Sequence, residues 1–344
     1  MKILVYPDLR KNSGGPASFQ LNFLEYLSIN NINYFFSFLD IFRFKKKDIC
    51  ILAVNTGKYF IFLWFFFLLG YKVIYRVGSV YPSNLFTKRS TKEKLYNFII
   101  FHLLKISLRY FSKGVIFQSR VVKDEWQNKI NFKFQDSIVI YNSTPYLNLG
   151  KEQSDIATIV DQLITISEKP ENVIILVVET NHPDREKHLG HLLAELIPFN
   201  VTLVLVGNCN WVPLNVNYNL IKCGFISKSQ VSNIAEYCTL FLNVDVFPSG
   251  CPNSVIEAMS YGLPVLCYQN TPAHELIDDD CGFAGKPNLE LLKMTGLGGN
   301  YEELVRGVEV IKQHNHKMRK AALIRSEYFK PEVIFSSYIN FIKK

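Results

Sequence analysis

From Asn243 to Ile277 the chain reads NVDVFPSGCPNSVIEAMSYGLPVLCYQNTPAHELI, the stretch whose residue types are best suited to chemistry. Phe241, Leu242, Val244 and Val246 form a short apolar strand that Pro248-Ser249-Gly250 ends. Asn253 or Ser254 can then cap a helix whose apolar positions Val255, Ile256 and Met259 turn toward a core. A helix that starts at such a loop presents unpaired amides and the positive end of its dipole, which suits an anionic group such as a diphosphate. Gly250 lets a ligand approach the backbone closely. Glu257, one turn into the helix, carries a carboxylate able to accept two hydrogen bonds from a vicinal diol such as that of a ribose. Gly262 and Pro264 then turn the chain into a second buried strand, Val265-Leu266-Cys267.

The elements that must position this stretch form a repeating series. In the N-terminal half, strand patterns at Ile3–Tyr6, Tyr34–Phe38, Ile49–Val54, Val73–Tyr75, Gly114–Gln118 and Ile138–Tyr141 alternate with helix patterns at Ala17–Ile29, Tyr59–Leu69 and Tyr96–Phe111. After a less regular stretch, Asn142–Gln162, the pattern restarts with strands at Val173–Val178, Val201–Val206, Leu220–Cys223, Leu240–Asn243 and Val265–Cys267. Short apolar strands separated by helices predict parallel, doubly wound sheets, here two in series. Pro331–Ile342 has apolar residues at helical spacing and is expected to cross back to the first domain. The expected boundaries are 1–160 for an N-terminal Rossmann-like domain, 161–325 for a second, and 326–344 for the crossover helix. In open sheets of this kind ligands bind beyond the carboxyl ends of the strands, so the site is expected in a cleft that the two domains face.

Composition narrows the function classes. A chain of 344 residues, 48% of them hydrophobic, suits two cores rather than one. The longest apolar run, Tyr59–Tyr71, is shorter than the roughly 20 residues a spanning helix needs. The opening MKILVYPD enters a strand pattern without a secretory cleavage site, which predicts a cytoplasmic protein. The seven cysteines include no CxxC pair and read as reduced core residues, not as a zinc site or a disulfide framework. The net charge of +8 is unevenly placed: residues 1–150 hold 21 Lys/Arg and 8 Asp/Glu, the remainder 17 and 22. A basic half that also contains YFIFLWFFFLLGYK and LYNFIIFHLLKISLRYF fits peripheral contact with an anionic membrane surface, or core helices with solvated basic edges. No nucleic-acid-binding motif accompanies the charge.

Several segments in one order make the chain similar to the retaining GT-B glycosyltransferases of family 4. LVLVGNCN, IKCGFISKSQVSNIAEYCTLFLNVDVFPS, SVIEAMSYGLPV and HELIDDDCGFAG resemble that family's donor half. The Gly14-Gly15 loop, KVIYRVGSVYP, KGVIFQSRVVKDEW and VIYNSTP resemble its acceptor half. The resemblance implies a GT-B fold and a nucleoside diphosphate sugar as co-substrate, with no metal or other cofactor. It implies that Gly14 and Gly15 lie at the donor phosphate, that Glu257 holds the ribose, and that Gly250, Cys251, Pro252, Asn253 and Ser254 hold the sugar and diphosphate. Gly224, Phe225 and Ile226 would meet the base. A cation for the diphosphate would come from Lys187 or Arg185 in TNHPDREKHL, and Arg76, Ser79 and Asn142 fall on the acceptor side.

The chain also departs from the pattern. Ser249 stands where the family commonly has a sugar-contacting glutamate, Glu179 replaces an arginine, and Arg76-Val77-Gly78-Ser79 lacks the acid of an R-x-D pair. These differences raise the alternatives of a binding module without turnover or, less close to the loops, a sugar-nucleotide epimerase. Asp278-Asp279-Asp280 has a metal-binding D-x-D spacing, but its place between Ile277 and Cys281 predicts a charged turn. Ser119 and Ser249 have no base adjacent in sequence, so a serine nucleophile is not expected. The expected reaction is sugar transfer to a saccharide or lipid-linked acceptor with retention, in surface polysaccharide or lipopolysaccharide assembly.

Overall fold

A computed structural model describes all residues except 12–14, 55–59, 79–90, 135, 147–155, 179–182, 197–198, 208–218, 246–249, 289 and 291–299; the side chains of 91, 93, 94, 97 and 183–188 are likewise outside it. The chain divides into two compact units. One comprises Met1–Pro145, Pro248–Asn253 and Phe329–Lys344, and the other Tyr146–Phe247 and Ser254–Tyr328.

The first unit is a six-stranded, wholly parallel sheet in the order β2-β1-β3-β4-β5-β6. Its strands are β1 (Lys2–Tyr6), β2 (Tyr34–Phe35), β3 (Ile49–Val54), β4 (Lys72–Val77), β5 (Gly114–Phe117) and β6 (Ser137–Val139). Every residue of β3, ICILAV, is buried, as expected of a strand covered by helices on both faces. Helices α2 (Phe60–Leu68), α3 (Thr91–Tyr110) and α4 (Arg120–Ile130) pack on one face, where Leu63, Phe66, Leu108 and Trp126 meet Ala53, Tyr75, Val77 and Phe117. Helix α1 (Gly15–Ile29) and the C-terminal helix, here α11 (Pro331–Lys343), pack together through Phe19 and Phe23 against Phe335 and Tyr338. Ser119 is buried and its hydroxyl accepts from the Val122 amide at 3.1 Å, so it serves as the N-cap of α4.

The second unit repeats the plan with strand order β12-β11-β10-β7-β8-β9, again all parallel. Its strands are β7 (Asn172–Val178), β8 (Asn200–Val206), β9 (Asn219–Gly224), β10 (Leu240–Leu242), β11 (Val265–Tyr268) and β12 (Gly282–Gly285). The helices described are α5 (Ala157–Ser167), α6 (Pro183–Glu195), α7 (Lys228–Ala235), α8 (Asn253–Ser260), α9 (Pro272–Leu276) and α10 (Tyr301–Ser326), which kinks at His314.

Several elements differ from the sequence reading: helix α4 fills a stretch in which no helix was read, and the expected strand Tyr34–Phe38 is β2 only over Tyr34–Phe35, with a 3-10 segment starting at Phe38. Helix α5 occupies part of the stretch read as irregular; its β-branched ATIVDQLITIS has weak helix propensity, and Leu163 is its fully buried anchor. Strand β12 follows the charged turn, where GFAG gives no apolar run. Its pairing with β11 is so close that a Cβ on Gly282 would stand 2.5 Å from the Val265 carbonyl oxygen, which requires glycine.

Among the described residues the cysteines are free thiols, and all but the half-buried Cys223 are buried. Burial pushes Cys50 and Cys281 up to about 12 and Cys223 up to about 11. It moves Tyr301 up to about 12 as well. The unfolded chain therefore gives up these protons first, so the stability they confer is complete below about pH 9 and is lost as pH rises toward about 12. Urea unfolding followed at neutral and alkaline pH is expected to show that one-sided decline.

Candidate functional site

Glu257 sits on α8, whose positions Val255, Ile256, Ala258 and Met259 are buried and therefore hold the helix face that carries the carboxylate. Its side chain is 18% exposed and forms an ion pair with Lys228 at 2.8 Å. Lys228 occupies the first turn of α7, fixed there by a capping box between Ser227 and Gln230. Sequence reasoning missed Lys228, although its signal was present in S-K-S-Q: the box sets where the helix begins and so which residue projects from its first turn. Tyr261 lies behind Glu257; burial, with the carboxylate adding to it, raises the Tyr261 hydroxyl well above its usual range. The pair leaves one carboxylate oxygen of Glu257 outside the salt bridge, which can accept a hydrogen bond from a diol hydroxyl.

In the same unit, Gly224 ends β9 with φ +65°, and its carbonyl accepts from the Gly207 amide at 2.7 Å. Phe225, 78% exposed, follows at once, with Ile226 half-buried. An aromatic ring held on a glycine turn offers a flat surface to a base. Asp278 and Asp280, from the D-x-D spacing, are engaged elsewhere: Asp278 accepts from the Cys281 amide at 3.2 Å, and Asp280 pairs with Lys317 at 3.1 Å.

The loop that leads into α8 belongs to the first unit, where a buried polar cluster holds it. Gly250 is buried with φ +94°, a conformation that favours glycine. Asn142, just after β6, donates from Nδ2 to the Cys251 carbonyl at 2.8 Å and to Asn253 Oδ1 at 2.6 Å, while its backbone amide meets Cys251 Sγ at 3.3 Å. Its Oδ1 accepts from Arg76 Nη2. Arg76, on β4, also donates from Nε to Tyr338 Oη at 3.0 Å and from Nη1 to the Gln118 amide oxygen at 2.9 Å, and lies 3.6 Å over the ring of Phe19. Arg76 as a whole is 5% exposed and no carboxylate pairs with it among the described residues; neutral oxygens and an aromatic face compensate its charge. A Cβ on Gly15 would lie 4.0 Å from Asn253 Nδ2, so the start of α1 backs onto this loop.

Other expected site residues are distributed as follows. Arg76 and Asn142, assigned to the acceptor side, are 5% and 4% exposed and bonded to one another, with Asn142 in turn gripping the Cys251–Asn253 loop. Pro252 and Ser254 are half-buried beside Cys251 and Asn253. Gly14, Ser79, Glu179 and Ser249 lie outside the described residues, as do the side chains of Arg185 and Lys187, whose backbone forms the start of α6. Tyr338 had no local signal: it lies 262 residues from Arg76 and reads from sequence as one more apolar helix position.

Two parallel six-stranded sheets in series, each flanked by helices, make the GT-B fold. Solved structures that share it include glycosyltransferases. HepE (Alr3699) of Anabaena, determined in complex with UDP-glucose, is 19% identical with a TM-score of 0.68 over 100% of this chain and 99% of that one. A glycosyltransferase of Rickettsia africae is 14% identical with a TM-score of 0.67 over 99% and 97%. WaaG, a glycosyltransferase involved in lipopolysaccharide biosynthesis, is 14% identical with a TM-score of 0.58 over 99% of both chains. No protein-family model and no curated protein sequence matches the chain.

Proposed function

We propose that the protein is a retaining, family 4-type glycosyltransferase that moves a hexose-type sugar from a nucleoside diphosphate sugar to a saccharide or lipid-linked acceptor, in surface polysaccharide or lipopolysaccharide assembly. The observation that carries the reading is the placement of Glu257 on α8, one turn beyond a loop whose backbone is held by Asn142, within a GT-B fold. HepE, similar in fold, has been determined with UDP-glucose, which supports a nucleotide-sugar donor. Glu257 accepts the ribose hydroxyls, and the amides at the start of α8 face the diphosphate. Gly224-Phe225-Ile226 meets the base, and Lys187 or Arg185 supplies a cation. The acceptor oxygen bonds to the anomeric carbon on the face from which the phosphate oxygen departs, and the leaving diphosphate takes the acceptor proton. The protein contributes position and stabilises the charge that grows on the diphosphate, so neither a side-chain nucleophile nor a metal enters the scheme. The reaction belongs in the cytoplasm, with the basic first half in peripheral contact with the inner face of a membrane.

The test is incubation of purified protein with a panel of UDP-, GDP- and ADP-sugars, with NMR of the sugar released or transferred. Consumption of one donor with the anomeric configuration kept is expected. Inversion would contradict the retaining scheme, and no consumption of any donor would contradict the enzyme.

A further inference from the structure

At the amino ends of β4, β5 and β6 the first unit has two adjoining recesses that share Lys113 and Asp136 in their walls. The first, of about 280 Å³, is also lined by Arg109 and Lys133, and the second, of about 340 Å³, by Lys72 and Lys344. Lys72 opens β4, and Arg76 follows four residues later on the same strand, a rise of roughly 13 Å at about 3.3 Å per residue. The recesses therefore lie at the other end of the strands from the Arg76–Asn142 cluster and the loop it holds.

Local packing makes the hollow. Helix α4 ends at Ile130, and Asn131, with φ +47°, turns the chain so that Phe132 and Phe134 meet edge to face at 5.2 Å. Phe134 and Leu108 are buried there and give the first recess an apolar floor. On the other side Gly114 opens β5 beside α11: a Cβ on it would stand 2.9 Å from the Phe341 ring, so the helix lies close against the strand and walls the second recess.

The charge in these walls is not compensated from within. Each recess sets three cations against the single carboxylate of Asp136. Cations often gather at the carboxyl ends of helices, where they offset the dipole and bind the last carbonyls. Lys72 is used in this way, its Nζ donating to the Ile342 carbonyl of α11 at 3.0 Å. Among the described residues Arg109, Lys113, Lys133 and Lys344 enter no ion pair and donate no side-chain hydrogen bond. Arg109 lies 5.2 Å over the ring of Phe132, and Lys113 Nζ lies 5.8 Å from that of Phe67; an aromatic face holds a cation without neutralising it. Like charges gathered in this way repel, and an anion among them relieves the repulsion. A phosphate monoester carries about −1.5 to −2 at pH 7, which balances the excess of each recess, and lysine and arginine are the side chains that bind phosphate. A concavity of about 300 Å³ is at the small end of ligand sites and encloses a metabolite, not a polymer or the flat surface of a bilayer.

We infer that the first recess is a binding site for a small soluble phosphate monoester, separate from the proposed sugar-transfer site, with the phosphate held by Arg109, Lys113 and Lys133 and opposed by Asp136. The assignment rests on the unpaired cations and the shape of the recess and not on the reaction, so its test is independent of donor chemistry.

The test is calorimetric titration of the full chain with glycerol 3-phosphate, with glycerol as the control. Saturable binding of the phosphate ester alone, weakened by salt, is expected. A Lys113→Gln/Lys133→Gln variant changes two exposed side chains that bond to nothing in the described structure; it should keep the wild-type melting midpoint and bind at least tenfold more weakly. Asp136→Asn removes the opposing charge and should bind severalfold more tightly, a gain that a merely structural role would not produce and that keeps the inference testable if the double variant fails to fold. Wild-type-like binding by the folded double variant would place the anion elsewhere, the loop before α8 included, and would overturn the inference. So would an Asp136→Asn variant that gains nothing. Absence of saturable binding to the wild type would overturn it too, and flotation with phosphatidylglycerol vesicles that the double variant then loses would give these lysines to a lipid surface instead.

Discussion

Replacing Glu257 with alanine is expected to weaken nucleotide-sugar binding by roughly 10- to 100-fold while leaving the melting midpoint within a few degrees of wild type. A hydrogen bond to a charged acceptor contributes about 1.5–3 kcal/mol, and about 1.4 kcal/mol is tenfold in affinity. The stability side is small because the Lys228–Glu257 pair is partly solvated, with 41% of the lysine side chain and 18% of the glutamate exposed. Such pairs contribute about 0–1 kcal/mol. Glutamine keeps the acceptor oxygen but not the charge and should fall between. Lys228→Ala separates the roles: if Glu257 served only to hold α7 against α8, that change would reproduce the loss of binding, whereas a carboxylate that receives the donor's hydroxyls should remain competent without its lysine. Calorimetric titration of the three variants with the preferred nucleotide sugar makes the comparison.

The second large effect is on the fold. Arg76→Met is expected to destabilise the first unit by about 3 kcal/mol or more, because it leaves Asn142 Oδ1, Tyr338 Oη and the Gln118 amide without their buried donor. Each orphaned buried group costs about 1–3 kcal/mol, against which methionine recovers part of the packing on Phe19. Burial keeps the Tyr338 hydroxyl protonated, with Arg76 opposing the shift, so no compensating ionisation is open to it. Arg76→Lys should rescue little, since one ammonium on a flexible stem cannot reach three acceptors fixed by the guanidinium fork. Because Asn142 passes the grip to Cys251 and Asn253, the variant should also lose affinity for the sugar diphosphate. Denaturant unfolding of wild type and both variants checks the stability, and a shift confined to less than about 1 kcal/mol would show that the cluster is incidental.

Much of the fold was legible because its strands announce themselves. Runs such as ICILAV and VIILVV are too apolar to face water on either side, and helices between them leave a parallel sheet as the arrangement that buries both faces. Strand β12 was not legible, since its formation is decided by close approach to Val265 and not by its own side chains. Helix α5 was missed for the opposite reason: its isoleucines and threonines carry little local helical signal, and tertiary contact at Leu163 decides. At the site, Glu257 and the Cys251–Asn253 loop stood out because a glycine turn, a helix start and an acid fall within a few residues. The grip on that loop was hidden, because Arg76, Gln118, Asn142 and Tyr338 meet only once the sheet and α11 are assembled. The family resemblance singled out Asn142 and Arg76, but not the bonds they make.

The most direct test of the central claim is thermal stabilisation of the intact protein by UDP, GDP, ADP and their sugars, with Glu257→Gln measured alongside. At about 100 times the dissociation constant a bound ligand adds roughly 2.7 kcal/mol to stability. A clear rise in melting midpoint with one base and its sugars, much reduced in the Glu257 variant, is the predicted result; no rise with any of them, or an equal rise in the variant, would contradict the assignment of this loop and helix as a nucleotide-sugar site.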